Sequence, residues 1–347
     1  MSSELKADFV LSTLYAAIAR RRRERYAARP DLRRRLRRPV ISVGNLAVGG
    51  RGKTPTVACV ARELLAMGER PAILSRGYAR RQPDDGVVVV RDPEGIRADL
   101  DRAGDEPLML ARQLPGVSVL SSSDRYLAGR LAEHHLASTV HVLDDGFQHL
   151  QLDRDIDLVI VAGEDLEPDV RTLPGGRLRE PPDTLLAADA VLAADERVLS
   201  LGPQPRNAPF EIFRTRRTMG EVRDLPPAAA KGEGVRGFAI AGIARPQAFF
   251  DGLRAGGHQI AGTLTFRDHH SYSRRDVERI AGQARATGAT CVLTTEKDYV
   301  RLLPFRPFPL PIGWVALTME PDPLPEFRQW LAGALAGARD QWPHRVD

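Results

Sequence analysis

Residues 39–55 carry the feature that most constrains the fold of this chain: a short apolar run, a glycine-rich turn and then Gly52-Lys53-Thr54. The run 40–43 is largely β-branched and predicts a strand, and the apolar residues after the turn fall on one face of a helix. In such a turn, consecutive backbone N–H groups close around phosphates, while Lys53 reaches the outer phosphates and the Thr54 hydroxyl ligates Mg²⁺. The stretch therefore predicts a nucleoside triphosphate site.

The predicted nucleotide-binding residues are consecutive: Val48, Gly49, Gly50, Arg51, Gly52, Lys53, Thr54 and Pro55. The usual pattern has a glycine five residues before Gly52, where this chain has Ala47. Gly49 and Gly50 keep the turn pliable despite that departure. The alternative is a glycine-rich turn that holds a lysine by chance.

The rest of the chain alternates strand and helix patterns. Strands are predicted at 71–74, 87–90, 140–143, 157–161, 237–242, 262–266 and 291–294, and helices at 108–114, 125–134, 246–255, 274–286 and 325–336. This alternation predicts an α/β fold of the P-loop NTPase type, with a mostly parallel sheet and helices on both faces. The later elements are enough for a smaller second α/β domain.

The length of 347 residues favours two domains, and stretches rich in Pro, Gly and Arg at 173–182 and 203–227 are typical of linkers. The expected division is a basic, amphipathic segment at 1–38, a nucleotide-binding domain at 39–205 and a linker at 206–235. A smaller substrate or closure domain would follow at 236–312, and a C-terminal helix and tail at 313–347.

The amino-terminal segment joins an apolar stripe to a basic cluster. Eleven arginines lie between Arg20 and Arg38, and the helical stripe before them consists of Val10, Leu11, Leu14, Tyr15 and Ile18. This pattern favours an interfacial anchor on an anionic membrane surface. Two alternatives remain: a helix that packs against the protein with a solvated basic face, and a nucleic-acid-binding arm, although the lack of aromatic residues weakens a stacking site.

The remaining composition indicates where the protein is kept. Two cysteines, Cys59 and Cys291, give neither a disulfide framework nor a paired metal-ligand spacing. No apolar run reaches the length of a membrane span, and the start of the chain lacks the order of a signal peptide. A reducing intracellular compartment is expected.

Carboxylates at element ends are the candidate metal and catalytic groups. Asp144 and Asp145 end an apolar strand downstream of the phosphate loop, which is how nucleotide enzymes hold the Mg²⁺ that Thr54 also ligates. Asp105 stands at a helix start, and the alternative to a catalytic role is that it merely caps the helix. His269 lies in Asp268-His269-His270, and these neighbouring residues cannot easily share one metal ion.

Eight motifs, taken in order over residues from about 5 to 305, resemble the tetraacyldisaccharide 4'-kinases of lipid A biosynthesis. The chain departs from that family at Ala47, Arg51, Gly175 and Arg177 and in its C-terminal tail. The motifs are Val43-Gly44-Asn45-Leu46, the loop 49–55, Arg76-Gly77-Tyr78, Gly104-Asp105-Glu106-Pro107, Leu143-Asp144-Asp145-Gly146-Phe147-Gln148-His149, Leu178-Arg179-Glu180-Pro181, Phe266-Arg267-Asp268-His269-His270-Ser271-Tyr272 and Thr295-Glu296-Lys297-Asp298.

The resemblance implies transfer of the γ-phosphate of ATP, with Mg²⁺, to the 4'-hydroxyl of a lipid-borne disaccharide 1-phosphate, forming lipid IVA. It implies a peripheral protein at the cytoplasmic face of the bacterial inner membrane, with substrate between two domains joined by a two-stranded linker. Lys53, Asp105 and His269 would be catalytic, Thr54, Asp144 and Asp145 would hold the metal, and Asn45, Arg76, Tyr78, Gln148 and Arg179 would contact substrate.

We further expect that Asp105 and His269 form one catalytic unit when the cleft closes, and that the protein is a monomer that binds no nucleic acid. Two other function classes stay open from the residues alone. One is a nucleic-acid-dependent P-loop ATPase with a basic amino-terminal arm, and the other is a nucleotide-driven switch protein.

Overall fold

A computed structural model describes residues 3–78, 80, 86–201, 209–225 and 236–341. Parts of the predicted linker and the end of the predicted tail lie outside these residues. The described strands are β1 (Val40–Asn45), β2 (Pro71–Ser75), β3 (Val88–Asp92), β4 (Gly95–Ile96), β5 (Ser118–Ser121), β6 (Val140–Asp144), β7 (Ile156–Val161), β8 (Ala190–Ala193), β9 (Glu211–Arg223), β10 (Arg236–Ala241), β11 (Gln259–Thr265), β12 (Cys291–Thr295) and β13 (Ile312–Asp322).

The described α-helices cover both faces of these strands. They are α1 (Ser3–Ala28), α2 (Lys53–Ala66), α3 (Leu100–Ala103), α4 (Asp105–Gln113), α5 (Arg125–His135), α6 (Arg197–Leu201), α7 (Pro246–Ala255), α8 (Arg274–Ala286), α9 (Glu296–Leu302) and α10 (Leu324–Asp340). The predicted elements are confirmed with small shifts at their ends, and α7 and α8 have the predicted bounds.

One continuous sheet contains all thirteen described strands, in the order β11-β10-β12-β13-β9-β8-β7-β1-β6-β2-β5-β3-β4. Its pairings are parallel except β13 with β9 and β3 with β4 and β5. This confirms the mostly parallel α/β fold.

Alternation along the strands explains why helices cover both faces. Ile41 and Val43 of β1 join a core cluster with residues of α2, α4 and α10, whereas Val40 packs on the other face with residues of α5. At the opposite end of the sheet, α8 packs on one face of β10 and β12, and α7 packs on the other. Successive strand side chains point to opposite faces, so strands buried on both sides read as continuous apolar runs.

Five described strands were not predicted from the sequence: the short strands β4, β5 and β8, and the long strands β9 and β13. β9 lies within the predicted linker 206–235, and β13 lies largely in the segment predicted to be a C-terminal helix and tail. They pair with each other over an antiparallel ladder from Trp314 and Arg223 to Asp322 and Arg214. β9 itself contains four arginines and has prolines on both sides, so its composition resembled that of a linker. The helix α10 then packs against α2, with Phe327, Leu331 and Leu335 buried in the same core cluster.

Candidate active site

The phosphate loop leaves β1 beside the end of β6, because Val43 pairs with Asp144 in the parallel ladder. It enters α2 through Gly52, whose φ of 84° lies in the left-handed region that favours glycine, and a Cβ atom there would clash with Sδ of Met319. Lys53 Nζ lies 3.1 Å from Oδ1 of Asn45 and 3.7 Å from Oδ1 of Asp145. These contacts direct the Lys53 ammonium group towards the carboxylates at the end of β6.

The loop forms one wall of a cavity of about 370 Å³, and all of residues 49–55 line it. The opposite walls come from β9, β13, the segment before α7 and the start of α9. Ala47, which departs from the usual pattern, is fully buried and forms a bridge with Leu178. An alanine is therefore accommodated there because its methyl group packs into the protein.

Arg51, the other departure inside the loop, points away from the position of Lys53. Its guanidinium pairs with Glu164 and, at 2.6 Å, with Asp165, both in the turn after β7. Glu164 also accepts Arg177 at 2.9 Å and Arg245 at 2.7 Å. Burial raises the pKa of Glu164, but these three arginines lower it to about 2, so the carboxylate stays charged. Arg51 thus anchors the loop to the protein.

The metal corner consists of Asp144 and Asp145 at the end of β6, with Lys53 and Thr54 at the start of α2. Burial, Glu106 and Asp145 together raise the pKa of Asp144 to about 7, and its Oδ2 accepts a 3.1 Å hydrogen bond from Ser75. Asp145 has a φ of 57° and receives both terminal nitrogens of Arg179 at 2.8 Å. Although burial opposes it, Arg179 and Lys53 lower the pKa of Asp145.

The residues present fit a magnesium ion that is also bound by phosphates. Among the described residues, no group of three or more His, Cys, Asp or Glu could hold a metal by itself. Mg²⁺ typically takes one or two carboxylates and completes its shell with water and substrate phosphates. A buried carboxyl whose pKa is raised by neighbouring carboxylates is the kind of group that a divalent cation would stabilise in its charged form.

The acceptor corner consists of Asp105, Glu106, His269, Lys297 and Arg301. His269 Nδ1 lies 3.0 Å from Oδ2 of Asp105, which is 164 residues away in sequence. Lys297 Nζ lies 3.0 Å from His269 Nε2 and 2.8 Å from Oε1 of Glu106. Because an ammonium group can only donate, Nε2 accepts from Lys297 and the proton on Nδ1 is donated to Asp105.

Asp105 is only 4% exposed and fully hydrogen-bonded. Its Oδ2 also accepts from Arg301 Nε at 2.8 Å, and its Oδ1 accepts from the backbone N–H of Glu106 at 2.9 Å. Although burial raises it, the hydrogen bond from His269 and the charges of Lys297 and Arg301 hold the pKa of Asp105 well below its usual range. His269 has a φ of 55°, a conformation that non-glycine residues adopt at some cost.

The predicted substrate residues fall into two groups. Asn45, Gln148 and Arg179 lie together at the metal corner, where Arg179 contacts Oδ1 of Asn45 and Gln148 donates to its carbonyl at 3.0 Å. Tyr78 lies at the acceptor corner, with its ring edge-on to His269 at 4.9 Å between centroids. Arg76 is exposed beside this cleft, and its positive charge interacts electrostatically with Arg125.

No role was predicted for Glu106, Lys297, Arg301 or Arg125. Lys297 belongs to a motif that was noted without a function. Arg125 is 8% exposed, and its only described hydrogen bond is to the carbonyl of Ser123 at 3.0 Å. Burial and then the charge of Arg76 lower the pKa of the Arg125 guanidinium. A buried cation with no carboxylate bonded to it is suited to an anionic ligand, which only the fold could reveal.

The helix α1 carries the predicted apolar stripe on an open face. Phe9, Val10, Leu11, Leu14 and Ile18 are all about half exposed or more, between 49% and 63%. The other side is held to the protein, because Ser12 bonds to Thr172 and Gly175 and Arg23 pairs with Glu180 at 2.6 Å. Among the helices of the described residues, none has the length and apolar character needed to cross a membrane.

Comparison with known proteins decides the family. The sequence profile of the family described as tetraacyldisaccharide-1-P 4'-kinase matches residues 8–336. This chain belongs to that family. A tetraacyldisaccharide 4'-kinase of Geobacter sulfurreducens is 40% identical over 321 residues, which cover 90% of this chain and 89% of that protein. Its counterpart from Geobacter metallireducens is 41% identical over 300 residues, 85% and 88% of the two chains.

A solved structure agrees with the sequence relatives. LpxK from Aquifex aeolicus in complex with ATP superposes with a TM-score of 0.77 at 30% identity, covering 94% of this chain and 98% of that one. The family suggested by the eight motifs is therefore confirmed, and with it the kinase fold.

Proposed function

We propose that this chain transfers the γ-phosphate of ATP to the 4'-hydroxyl of a tetraacyldisaccharide 1-phosphate, forming lipid IVA. Family membership over residues 8–336 supports this reaction. The observation that carries it here is the contact of Asp105 with His269, 164 residues apart, beside the phosphate loop and the paired carboxylates. A nucleotide site facing a carboxylate–imidazole pair has what transfer to an alcohol needs: bound phosphates and an oriented acceptor.

The phosphate loop and metal corner bind the donor. Backbone N–H groups of residues 48–52 and Lys53 hold the phosphates, while Thr54, Asp144 and Asp145 hold Mg²⁺, directly or through water. The ion supplies charge neutralisation between the phosphates when it is bound. Asn45 and Arg179 fix the positions of Lys53 and Asp145, so these groups are ordered before the nucleotide arrives.

Asp105 and His269 orient the acceptor hydroxyl. A loose transition state needs little proton abstraction at first, so a carboxylate with a lowered pKa is still a sufficient base late in the reaction. The imidazole donates from Nδ1 to Asp105 and accepts from Lys297 at Nε2, and it thereby holds the orientation of that carboxylate. Arg301 keeps the buried carboxylate charged.

The substrate occupies the cleft between the two corners. Tyr78 lies against His269 and supplies an aromatic surface, while Arg76 and Arg125 supply cations for an anionic sugar. Gln148 and Arg179 contact the other side.

The two units proposed from the sequence, 39–205 and 236–312, are connected through β9 and β13. The metal corner lies within the first unit. At the acceptor corner, His269, Lys297 and Arg301 approach Asp105 from the second unit. A small rotation about the paired strands would open the acceptor corner and leave the metal corner unchanged. Substrate binding between the units then completes the catalytic group.

The chain works at the cytoplasmic face of the bacterial inner membrane, as a peripheral protein held by α1. The exposed apolar face supplies the insertion surface and the arginines that follow supply cations. Six of the eleven arginines between Arg20 and Arg38 pair with carboxylates of the protein: Arg20, Arg23, Arg29, Arg33, Arg34 and Arg35. That leaves fewer cations for a nucleic-acid arm than the composition suggested.

The reaction is tested with purified protein, Mg-ATP and a detergent-dispersed disaccharide 1-phosphate, followed for a new phosphomonoester at the 4' position. A new phosphomonoester that needs both the acceptor and ATP supports the proposal. Turnover of ATP that is indifferent to the disaccharide and stimulated by nucleic acid would contradict it.

The membrane contact is tested with the triple variant Leu11→Gln, Leu14→Gln, Ile18→Gln, because deleting α1 would also remove its bonds to the protein. Sedimentation with anionic vesicles should fall several-fold. The matched control is Leu127→Gln with Leu186→Gln, two exposed leucines elsewhere on the surface. Equal sedimentation of the triple variant and the parent would show that α1 does not insert.

A further inference from the structure

The nucleotide cavity has cations on the wall opposite the phosphate loop. Arg217 of β9 and Arg245, just before α7, both line it together with residues 49–55. This part of the wall lies close to the loop: a Cβ atom at Gly50 would be 3.6 Å from the Cβ of Ala244, next to Arg245. Any phosphate chain bound by the loop is therefore covered from this side.

Arg217 is directed towards the loop by the register of the sheet. It pairs directly with Met319 in the antiparallel ladder of β9 and β13, and directly opposed residues share a face. Met319 contacts Gly52, so Arg217 stands one strand away from the loop, at a spacing of about 5 Å.

Arg217 has no carboxylate in hydrogen-bond or ion-pair contact among the described residues, although it stands beside another cation. Desolvation by the cavity walls and then the charge of Arg245 lower the pKa of its guanidinium. Two arginines that face the same cavity repel each other unless an anion lies between them. A polyanion bound between them would therefore stabilise both guanidinium groups.

Arg245 forms an ion pair that it could exchange for a contact with another anion. Its side chain is 53% exposed and its one described partner is Glu164, at 2.7 Å. Glu164 keeps Arg51 and Arg177 when Arg245 leaves, so that departure does not strand a buried charge. The guanidinium can therefore move to a nearby phosphate at small cost.

We propose that Arg217 and Arg245 bind the phosphates of the nucleotide from the wall opposite Lys53, with Arg245 exchanging Glu164 for a phosphate oxygen. Two guanidinium groups outside the phosphate loop would neutralise charge that Lys53 and the metal leave uncovered. Arginine is suited to this because its planar fork binds phosphate through two parallel hydrogen bonds. The inference rests on the nucleotide-binding part of the proposed function.

The test measures binding by calorimetry, with Mg-ATP, Mg-ADP and adenosine as probes and full-length protein. Arg217→Gln and Arg245→Gln should each raise the Kd of Mg-ATP about tenfold, since each removes a charged hydrogen bond, and should leave adenosine binding unchanged. Arg217→Lys should recover part of the loss. The matched controls are Arg214→Gln on the same strand and Arg254→Gln at the end of α7, both exposed and paired with carboxylates.

The outcomes separate this inference from the proposed reaction. An Arg217→Gln variant that binds Mg-ATP like the parent would overturn the inference, as would an equal loss of adenosine, which would place the contact on the base or ribose. A parent that binds Mg-ATP tightly but phosphorylates no disaccharide would overturn the reaction and leave the inference standing. A parent that binds no Mg-ATP would overturn both.

Discussion

The metal corner and the acceptor corner lie in the same cleft but are built in different ways. At the metal corner, Asn45 and Asp144 end two neighbouring parallel strands, so the ladder itself places these strand ends side by side. At the acceptor corner, Asp105 begins α4 and meets His269 and Arg301 from segments more than 160 residues later. The first corner is built from neighbouring strands and the loops that follow them, whereas the second requires α4, α9 and the segment before α8 to come together.

This difference assigns separate tasks to the two corners. Both contain one residue with a left-handed backbone, Asp145 at 57° and His269 at 55°, which suggests that strain is accepted at each. The metal corner can bind the nucleotide at any time. If the proposed closure of the cleft completes the acceptor corner, transfer to water should be limited until the acceptor has been enclosed.

The largest effect is expected from Lys53→Ala, which removes the cation of the metal corner. Lys53 follows charge that develops on the transferring phosphoryl group, and its loss should lower the rate of transfer by about a thousandfold or more. Rates are measured with saturating Mg-ATP and the disaccharide, and circular dichroism checks the fold. Near-normal turnover in a folded variant would contradict the assignment of this loop as the phosphate-binding loop.

A smaller effect is expected from Lys297→Met at the acceptor corner. The ammonium group joins His269 to Glu106, so its loss frees the imidazole and should lower kcat about tenfold to a hundredfold. Lys297→Arg, which keeps the charge and can donate to both partners, is the matched control. A kcat equal to that of the parent would show that Lys297 does not support the catalytic pair.

The smallest effect concerns the stability of the helices that carry the acceptor corner. Glu296 begins α9, is 5% exposed and accepts a hydrogen bond from Gln113 at the end of α4. Burial raises its pKa to about 7, so the folded protein holds a proton that the unfolded chain releases near pH 4.5. Stability should therefore fall as the pH rises from 4.5 to 7.

Glu296→Gln removes that dependence, because glutamine is neutral throughout and retains the hydrogen-bonding capacity. The variant should be more stable than the parent by about 1–3 kcal/mol at pH 8 and no more stable at pH 4. Urea unfolding at both pH values measures the difference. A gap that is the same at both pH values would show that the carboxyl titrates normally.

The two corners also differ in how far the sequence could predict them. The metal corner could be predicted from local sequence patterns. Its two motifs, a glycine-rich turn after one strand and two aspartates at the end of another, are each formed by consecutive residues. The pairing of Asp105 with His269 was expected only with the aid of the family resemblance. No spacing rule connects Arg301 or Lys297 to Asp105, because the contact depends on how α9 approaches α4.

The same reasoning explains the two long strands that were not predicted, β9 and β13. β9 is rich in arginine and lies beside prolines, and β13 follows another proline-rich segment, so local composition favoured a linker and a tail. Their pairing with each other is a long-range contact that stabilises both. Arg51 was unexplained for a similar reason, since its partners Glu164 and Asp165 lie more than 110 residues away.

A double-mutant cycle on Asp105 and His269 tests the central claim most directly. The rate of transfer to the disaccharide acceptor is measured for the parent, Asp105→Ala, His269→Ala and the double variant. If the two residues act as a unit, the double variant should be little slower than the slower single variant. Fully additive losses, or a His269→Ala variant as fast as the parent, would contradict the account.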